Sequence, residues 1–166
     1  MFYRLRQIRQ TYYPKLTAWE IAWVKTVLPP AAFALFWRQE QKEQRHAFDV
    51  ASAIERSYPE LSYEDQHTLL TAALLHDCGK SLRPVLLWQR IFAVLAAFLP
   101  AGVRTALSRS KTPFSYPLRL AAEHPLWGAE LAREAGLPDD CRRLIAEHHQ
   151  PTTYLGRILQ TEDDKH

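Results

Sequence analysis

Histidine offers more chemistry in this sequence than any other residue type. The chain has seven histidines, and at about 100° of rotation per residue five of them fall on apolar faces of predicted helices. An aspartate shares this placement, so the inward-facing set is His46, His76, Asp77, His124, His148 and His149. One inward histidine is usually a hydrogen-bonded core residue, but burying so many titratable groups costs several kcal/mol without compensation. A metal ion compensates directly, because it accepts neutral imidazole nitrogens and carboxylate oxygens.

Four short motifs carry these residues in a fixed order. Arg45-His46 opens one predicted helix, and His76-Asp77-Cys78-Gly79-Lys80 closes the next one. His124-Pro125 opens a further helix, and Ile145-Ala146-Glu147-His148-His149 closes another. Together the motifs resemble those of the HD-domain metal-dependent phosphohydrolases, in the form with a dinuclear metal site. The resemblance covers about residues 44–164 and implies an all-α helical bundle with its metal ligands at helix ends.

The sequence departs from the family pattern in three places. Cys78 stands where the family often has isoleucine. The Gly-Tyr-Pro signature of the cyclic-di-GMP-degrading branch is absent, which removes support for that substrate. Finally, 46 residues separate Asp77 from His124, and they add a basic and apolar element with no role defined by the family.

The resemblance implies two metal sites that share Asp77 as a bridge. One metal would be held by His46, His76, Asp77 and a last acid, and the second by Asp77, His124, His148 and His149. The last acid is one of Glu162, Asp163 and Asp164. The helical projection places Glu162 at the centre of the apolar face, Asp163 at its edge and Asp164 on the opposite face. Asp163 best satisfies both this projection and the family pattern. The alternative is that all three acids belong to a frayed, solvated chain end. Nitrogen and oxygen ligands without a thiolate favour Fe, Mn or Mg over a structural zinc site.

Such a site implies hydrolysis of a phosphoester: a nucleotide, a cyclic dinucleotide or a related compound. Two cations would lower the pKa of a shared water, supply hydroxide near neutral pH and neutralise the phosphoryl oxygens. Asp77 is therefore a predicted catalytic residue. Lys80 can offer a further positive charge to the phosphate, or it can simply be a cation favoured at a helix C-terminus. Arg83 is a weaker candidate for the same role.

The remaining reactive side chains have structural interpretations. Cys78 and Cys141 are predicted core residues, and His67 and His166 are predicted surface groups. The sequence contains no convincing nucleophile triad, phosphate-binding glycine loop or zinc-finger spacing. A second hypothesis for the whole chain is a non-catalytic HD-type module that senses a nucleotide or docks a partner.

Helices must position these residues, and the composition favours helices. Leucine and alanine number 44, against 12 valines and isoleucines. Helices are predicted near 17–28, 30–42, 45–58, 63–77, 84–98, 124–135, 138–149 and 153–163, and less clearly within 100–121. We expect one compact domain at 44–166, an N-terminal helical extension at 1–43, and an insertion or lid at about 80–123.

Charge is concentrated in the predicted insertion. Residues 80–119 hold seven basic side chains and no acidic one, interleaved with five aromatic side chains. This stretch is either a solvated face or a surface for phosphate groups, nucleic acid or an anionic membrane. Residues 91–103 are too short to span a bilayer but suit an interfacial helix.

The predicted location is the cytoplasm, because residues 1–9 do not resemble a secretory signal and the two cysteines are predicted to be free thiols. A peripheral contact with a membrane is compatible with this location. The sequence leaves the oligomeric state open.

Overall fold

Helices make up the regular structure of the part of the chain that is described. The computed structural model describes residues 15–82, 86–96 and 98–166, and these contain no strand. Residues 1–14, Arg83 and parts of the predicted 84–98 helix lie outside the described residues. The α-helices are α1 (Ala18–Val27), α2 (Pro30–Arg38), α3 (Gln41–Ser57), α4 (Tyr63–Leu75), α5 (Leu87–Ala96), α6 (Ala101–Arg109), α7 (Ser115–Glu134), α8 (Asp139–Glu147) and α9 (Tyr154–Asp163), with a 3₁₀ helix, η1 (Cys78–Leu82), after α4. The predicted all-α fold is confirmed.

Side-chain caps start three of the helices. Thr17, Ser62 and Thr153 each accept a hydrogen bond from a backbone N–H in the first turn of α1, α4 and α9. Such caps satisfy donors that a helix leaves unpaired at its N-terminus. They therefore define where these helices begin.

Helix α4 lies at the centre of the fold. Its second half, from Leu69 to Leu75, is entirely buried, and the helix packs against α1, α2, α3, α8 and α9. An apolar segment that is covered on all sides leaves its C-terminal end inside the molecule. The two residues that follow, His76 and Asp77, are consequently buried as well.

The N-terminal helices α1 and α2 join the same hydrophobic core. Val24 of α1 and Phe36 of α2 are fully buried in it. The Glu20 carboxylate on α1 accepts hydrogen bonds from the Thr17 backbone at 2.7 Å and from the Arg45 guanidinium at 2.8 Å. Glu20 thereby ties the start of α1 to the residue that precedes His46 on α3.

Two of the predicted helix boundaries are wrong. The helix expected at 30–42 ends at Arg38, and α3 begins at Gln41, so His46 lies in its second turn and not at its start. No glycine or proline marks this break. Long-range polar contacts stabilise it instead: the Gln39 side chain donates to the carbonyl of Leu74 at 3.0 Å, and Gln44 donates to the carbonyl of Gln39 at 2.9 Å.

Pro125 does not open a helix as predicted, because α7 runs through it as one helix. Proline removes a single helical hydrogen bond, here the one to the carbonyl of Ala121. Residues on both sides of Pro125 lie against η1, because a Cβ at Gly79 would meet the backbone of His124 and of Gly128, and α7 also packs against α8. This packing keeps the helix continuous, and His124 projects from its middle.

Candidate metal centre

Five separate segments bring the predicted site residues together. His46 comes from α3, His124 from the middle of α7, and Asp163 from the last residue of α9. The other four residues directly follow helix ends: His76 and Asp77 follow α4, and His148 and His149 follow α8. Neighbouring histidine rings in this cluster have centroids 4.0–5.3 Å apart. His76, Asp77, His124 and His148 are buried, whereas His46 and Asp163 are half-buried.

His149 is exposed, although the sequence predicted an inward position for it. It follows His148, the C-cap of α8, which is the last residue with helical backbone, so the helical projection no longer applies at His149. Its ring nevertheless remains 5.1 Å from that of His124, between centroids. It therefore stands at the open side of the cluster.

The three buried histidines share one hydrogen-bonding arrangement. The Nδ1 atoms of His76, His124 and His148 lie 2.8, 2.9 and 2.8 Å from the backbone carbonyls of Ala73, Leu120 and Ile145. A carbonyl only accepts, so Nδ1 carries the proton in each case. Each Nε2 is buried and has no hydrogen-bond partner. Three Nε2 atoms without a hydrogen-bond partner are thus directed into one small space, which is the arrangement that metal-ligating histidines adopt.

The two carboxylate oxygens of Asp77 face different sides of the cluster. Oδ1 lies 3.2 Å from Nε2 of His124 and 3.9 Å from Nε2 of His148. Oδ2 lies 3.6 Å from Nε2 of His76 and 2.6 Å from Nζ of Lys80. Asp77 therefore lies between two groups of histidines and presents one oxygen to each.

The three acids at the end of α9 differ in what they contact. Asp163 Oδ1 lies 2.7 Å from Nε2 of His46 and 3.4 Å from Nε2 of His76. Glu162 is buried, but its carboxylate accepts hydrogen bonds from Tyr58 and Lys165. Asp164 is exposed. Only Asp163 among the three reaches the histidine cluster.

The number of donor atoms in the cluster and the distances between them fit metal coordination. Two groups, His46 with His76 and Asp77, and His124 with His148 and His149, each have ligand atoms within 4.8 Å of one another. Ligand atoms bound at about 2.1 Å to one ion lie roughly 3.0–3.4 Å apart. The contacts between Asp77, Asp163 and the histidines bracket this range.

The family model of the HD domain matches residues 44–164, from the residue before Arg45 to the residue after Asp163. The chain belongs to the HD-domain metal-dependent phosphohydrolase superfamily. No curated protein and no solved structure matches this chain significantly.

The electrostatics of this HD domain favour a cation among the carboxylates. Burial raises the pKa of Asp77, but the charges of His76 and Lys80 hold it well below the usual range. Burial also raises the pKa of Asp163, but hydrogen bonds from His46 and His76 lower it by more. Burial lowers the pKa of His76, but the facing Asp77 and Asp163 outweigh this effect and raise it to about 9. Burial and the neighbouring His76 lower the pKa of His148 to about 3, which keeps that imidazole neutral. Neutral imidazole and ionised carboxylate are the forms that bind metal, so a cation held between Asp77 and Asp163 would replace the proton that His76 carries at neutral pH.

The cysteines of the HD domain contribute no ligand to the cluster. Cys78 and Cys141 are both buried free thiols, and burial raises the pKa of each to about 12. Cys78 Sγ instead donates to the carbonyl of Gly128 at 3.6 Å. Of the histidines predicted at the surface, His67 is exposed and His166 is half-buried.

A cavity of about 290 Å³ opens onto Asp77 and Lys80 of the HD domain. Its walls come from the break between α2 and α3, from η1 and from the first half of α7. The lining residues are Gln39, Glu40, Lys42, Glu43, Asp77, Lys80, Ser81, Pro117, Leu120 and Ala121. Sequence reasoning missed the four residues at 39–43, because the break that directs them toward the site carries no local signal.

Glycines hold the two halves of the cluster at a short distance. A Cβ atom at Gly79 would lie 2.1 Å from the carbonyl oxygen of His124 and 2.7 Å from the backbone nitrogen of Gly128. The 3₁₀ helix η1, which follows Asp77, therefore packs directly on the backbone of α7. Gly79 lies in the predicted motif, but the sequence did not indicate this role.

Proposed function

We propose that this HD domain is a phosphohydrolase that holds two divalent metal ions and cleaves a phosphoester bond. One ion would be held by His46, His76, Asp77 and Asp163, and the other by Asp77, His124, His148 and His149. The position of Asp77 is the observation that carries the proposal, because its two oxygens face the two histidine groups. Fe, Mn and Mg are the favoured metals, since the cluster offers nitrogen and oxygen donors and no thiolate.

The chemistry divides between the metals and the chain. Divalent ions held by these residues would supply a lowered pKa for a water molecule and positive charge to neutralise the phosphoryl oxygens. The chain orients the ligands: backbone carbonyls fix His76, His124 and His148 with Nε2 directed inward. No nucleophilic side chain is required, and the buried, protonated thiols supply none.

Lys80 is the proposed phosphate-binding residue. Its ammonium lies at the cavity wall, 2.6 Å from Asp77 Oδ2. Burial lowers the pKa of Lys80, but the charge of Asp77 outweighs this effect and raises it, so the side chain stays cationic. A cation in this position can pair with a phosphate that enters the cavity.

The cavity supports a small substrate. Its volume of about 290 Å³ lies at the lower end of the range for ligand pockets. This favours a phosphoester of about the size of one nucleotide over a cyclic dinucleotide. The proposed location is the reducing cytoplasm, which is consistent with two free thiols.

The second candidate is a non-catalytic HD module that senses a nucleotide or docks a partner. The inward lone pairs disfavour it, because sensing alone does not require unpaired Nε2 atoms on three buried histidines. Its distinguishing property would be metal or nucleotide binding without turnover.

Metal content and turnover test the proposal together. We expect close to two metal ions per chain after purification without chelator, and hydrolysis within a phosphoester panel assayed with Mn or Fe. Asp77→Ala should lose both metals because the carboxylate is shared, and His124→Ala should retain one in part. His67→Ala, at an exposed histidine, is the matched control and should behave like the wild type.

Two results would count against the proposal. Full metal content in Asp77→Ala would remove the bridging assignment. Metal binding by the wild type without hydrolysis of any phosphoester in the panel would favour the non-catalytic module.

A further inference from the structure

The outer side of α5 and the turn after it is an exposed apolar surface. Positions three and four residues apart lie on one helix face, and such positions on α5 are apolar and exposed. The exposed apolar residues of this region, called here the α5 face, are Leu86, Trp88, Ile91, Val94, Leu95, Phe98, Leu99 and Val103. Large contiguous apolar patches on a protein surface mark interaction sites.

Phe114 holds α5 against the rest of the molecule through Phe92 and through Trp88 at the edge of the α5 face. The ring centroid of Phe114 lies 5.6 Å from that of Trp88 and 4.8 Å from that of Phe92. Helix α5 also packs against α7. These contacts attach one side of α5 to the protein. Val94 and Phe98 on the α5 face remain 66% and 86% exposed.

The stretch of sequence that contains the α5 face is basic. Residues 80–119 contain seven basic side chains and no acidic one. Arg109, Lys111 and Arg119 line a cavity of about 700 Å³ together with several serine and threonine hydroxyls and one acid, Glu123. Lys111 lies three residues before Phe114, whose ring contacts Trp88 of the α5 face. The segment that exposes the apolar face therefore also carries an excess of positive charge.

We propose that the α5 face binds the surface of an anionic lipid bilayer. Tryptophan, phenylalanine and leucine side chains beside cations are the combination by which interfacial helices bind acidic membranes. Charge complementarity favours an anionic bilayer over a neutral one, because all charged side chains of residues 80–119 are basic. No helix in the described part of the chain is long and apolar enough to cross a membrane, so the contact is peripheral.

This contact is independent of the proposed hydrolysis. Pro117 and Leu120 of α7 line the cavity at Asp77, whereas Ser115 and Arg119 line the cationic cavity. At about 100° of rotation per residue the two pairs lie on different faces of α7. Loss of the cationic side chains should therefore leave the cavity at Asp77 unchanged.

Co-sedimentation with lipid vesicles tests the proposal. We expect the full chain to sediment with phosphatidylcholine vesicles that contain 30% phosphatidylglycerol, and binding to fall between 50 and 500 mM NaCl. Each basic residue near such a surface contributes about fivefold in binding, so Arg104→Gln/Arg109→Gln/Lys111→Gln should bind at least tenfold more weakly. Val94→Ser/Phe98→Ser should also lose at least tenfold, since it removes the apolar contact. Both variants should keep the wild-type metal content and helicity.

Matched controls make the result specific to this face. Tyr63 and Leu126 are exposed to similar extents, 84% and 62%, but lie on other helices, so Tyr63→Ser/Leu126→Ser should bind vesicles like the wild type. The proposal is overturned if the wild type does not bind, or if it binds pure phosphatidylcholine equally well. It is also overturned if sedimentation equilibrium shows a dimer that Val94→Ser/Phe98→Ser dissociates, since a second copy would then cover the face.

Discussion

Gly79→Ala is expected to disturb both the fold and the metal centre, because the α-carbon of Gly79 lies on the backbone of α7. The added Cβ would lie 2.1 Å from the carbonyl oxygen of His124, whereas contacts below 3.0 Å essentially never occur for a real Cβ. Backbone atoms cannot rotate away as a side chain can. Helix α7 and η1 must therefore separate by about 1 Å at this point.

The size of the effect follows from this displacement. Overpacking of this kind costs about 1–3 kcal/mol, and in a chain of this length each kcal/mol lowers Tm by roughly 2–4 °C. We expect a Tm decrease of about 2–12 °C, measured by circular dichroism. The displacement also lengthens the 3.2 Å approach of His124 Nε2 to Asp77 Oδ1, so elemental analysis should find less metal.

Gly102→Ala is the matched control for this substitution. A Cβ at Gly102 has no atom within 4 Å, and alanine is the better helix former, so Tm should stay unchanged or rise slightly. The reasoning would be refuted if Gly79→Ala matched the wild type in both Tm and metal content. Contact between η1 and α7 would then not determine the spacing of the cluster.

Two further substitutions probe single carboxylates. Asp163→Asn removes a charged hydrogen-bonding group worth about 1.5–3 kcal/mol, so metal titrations should show roughly ten- to hundredfold weaker binding. Asp164→Asn, at an exposed side chain, should leave metal binding unchanged. Equal losses of metal binding in the two variants would contradict the contact geometry. Glu20→Gln should lower the free energy of unfolding at pH 7 by about 1.5–3 kcal/mol, because it weakens the bond to Arg45. Burial raises the pKa of Glu20, but hydrogen bonds from Thr17 and Arg45 outweigh this effect. The pKa of Glu20 therefore lies below its ordinary value of 4.5. The difference between wild type and Glu20→Gln in urea unfolding should therefore be full above about pH 4.5 and shrink as pH falls through the lower folded pKa; a difference independent of pH would show that Glu20 acts by packing alone.

Local patterns in the sequence were sufficient for the fold class and for the family. Helical periodicity is a property of neighbouring residues, so the apolar faces and the inward positions of His76, His124 and His148 can be predicted without tertiary information. The order of the histidine and aspartate motifs indicated the HD-domain family in the same way. The predicted ligand roles remain predictions, but the structure does bring these side chains into one cluster.

Contacts between distant segments decided the rest. The break after Arg38 depends on Gln39 reaching Leu74, and the continuity of α7 depends on packing on both sides of Pro125. The local sequence does not indicate either contact. It therefore gave no sign of the break after Arg38, and Pro125 wrongly suggested the start of a helix.

The local sequence also could not decide which of the three acids at the end of α9 reaches the cluster. Periodicity placed Glu162 at the centre of the apolar face, and Glu162 is indeed the buried one. Burial alone, however, does not choose a partner: Tyr58 and Lys165 bind Glu162, whereas His46 lies beside Asp163. Which acid reaches the cluster depends on how α3 and α9 pack against each other, and that relation exists only in the folded chain.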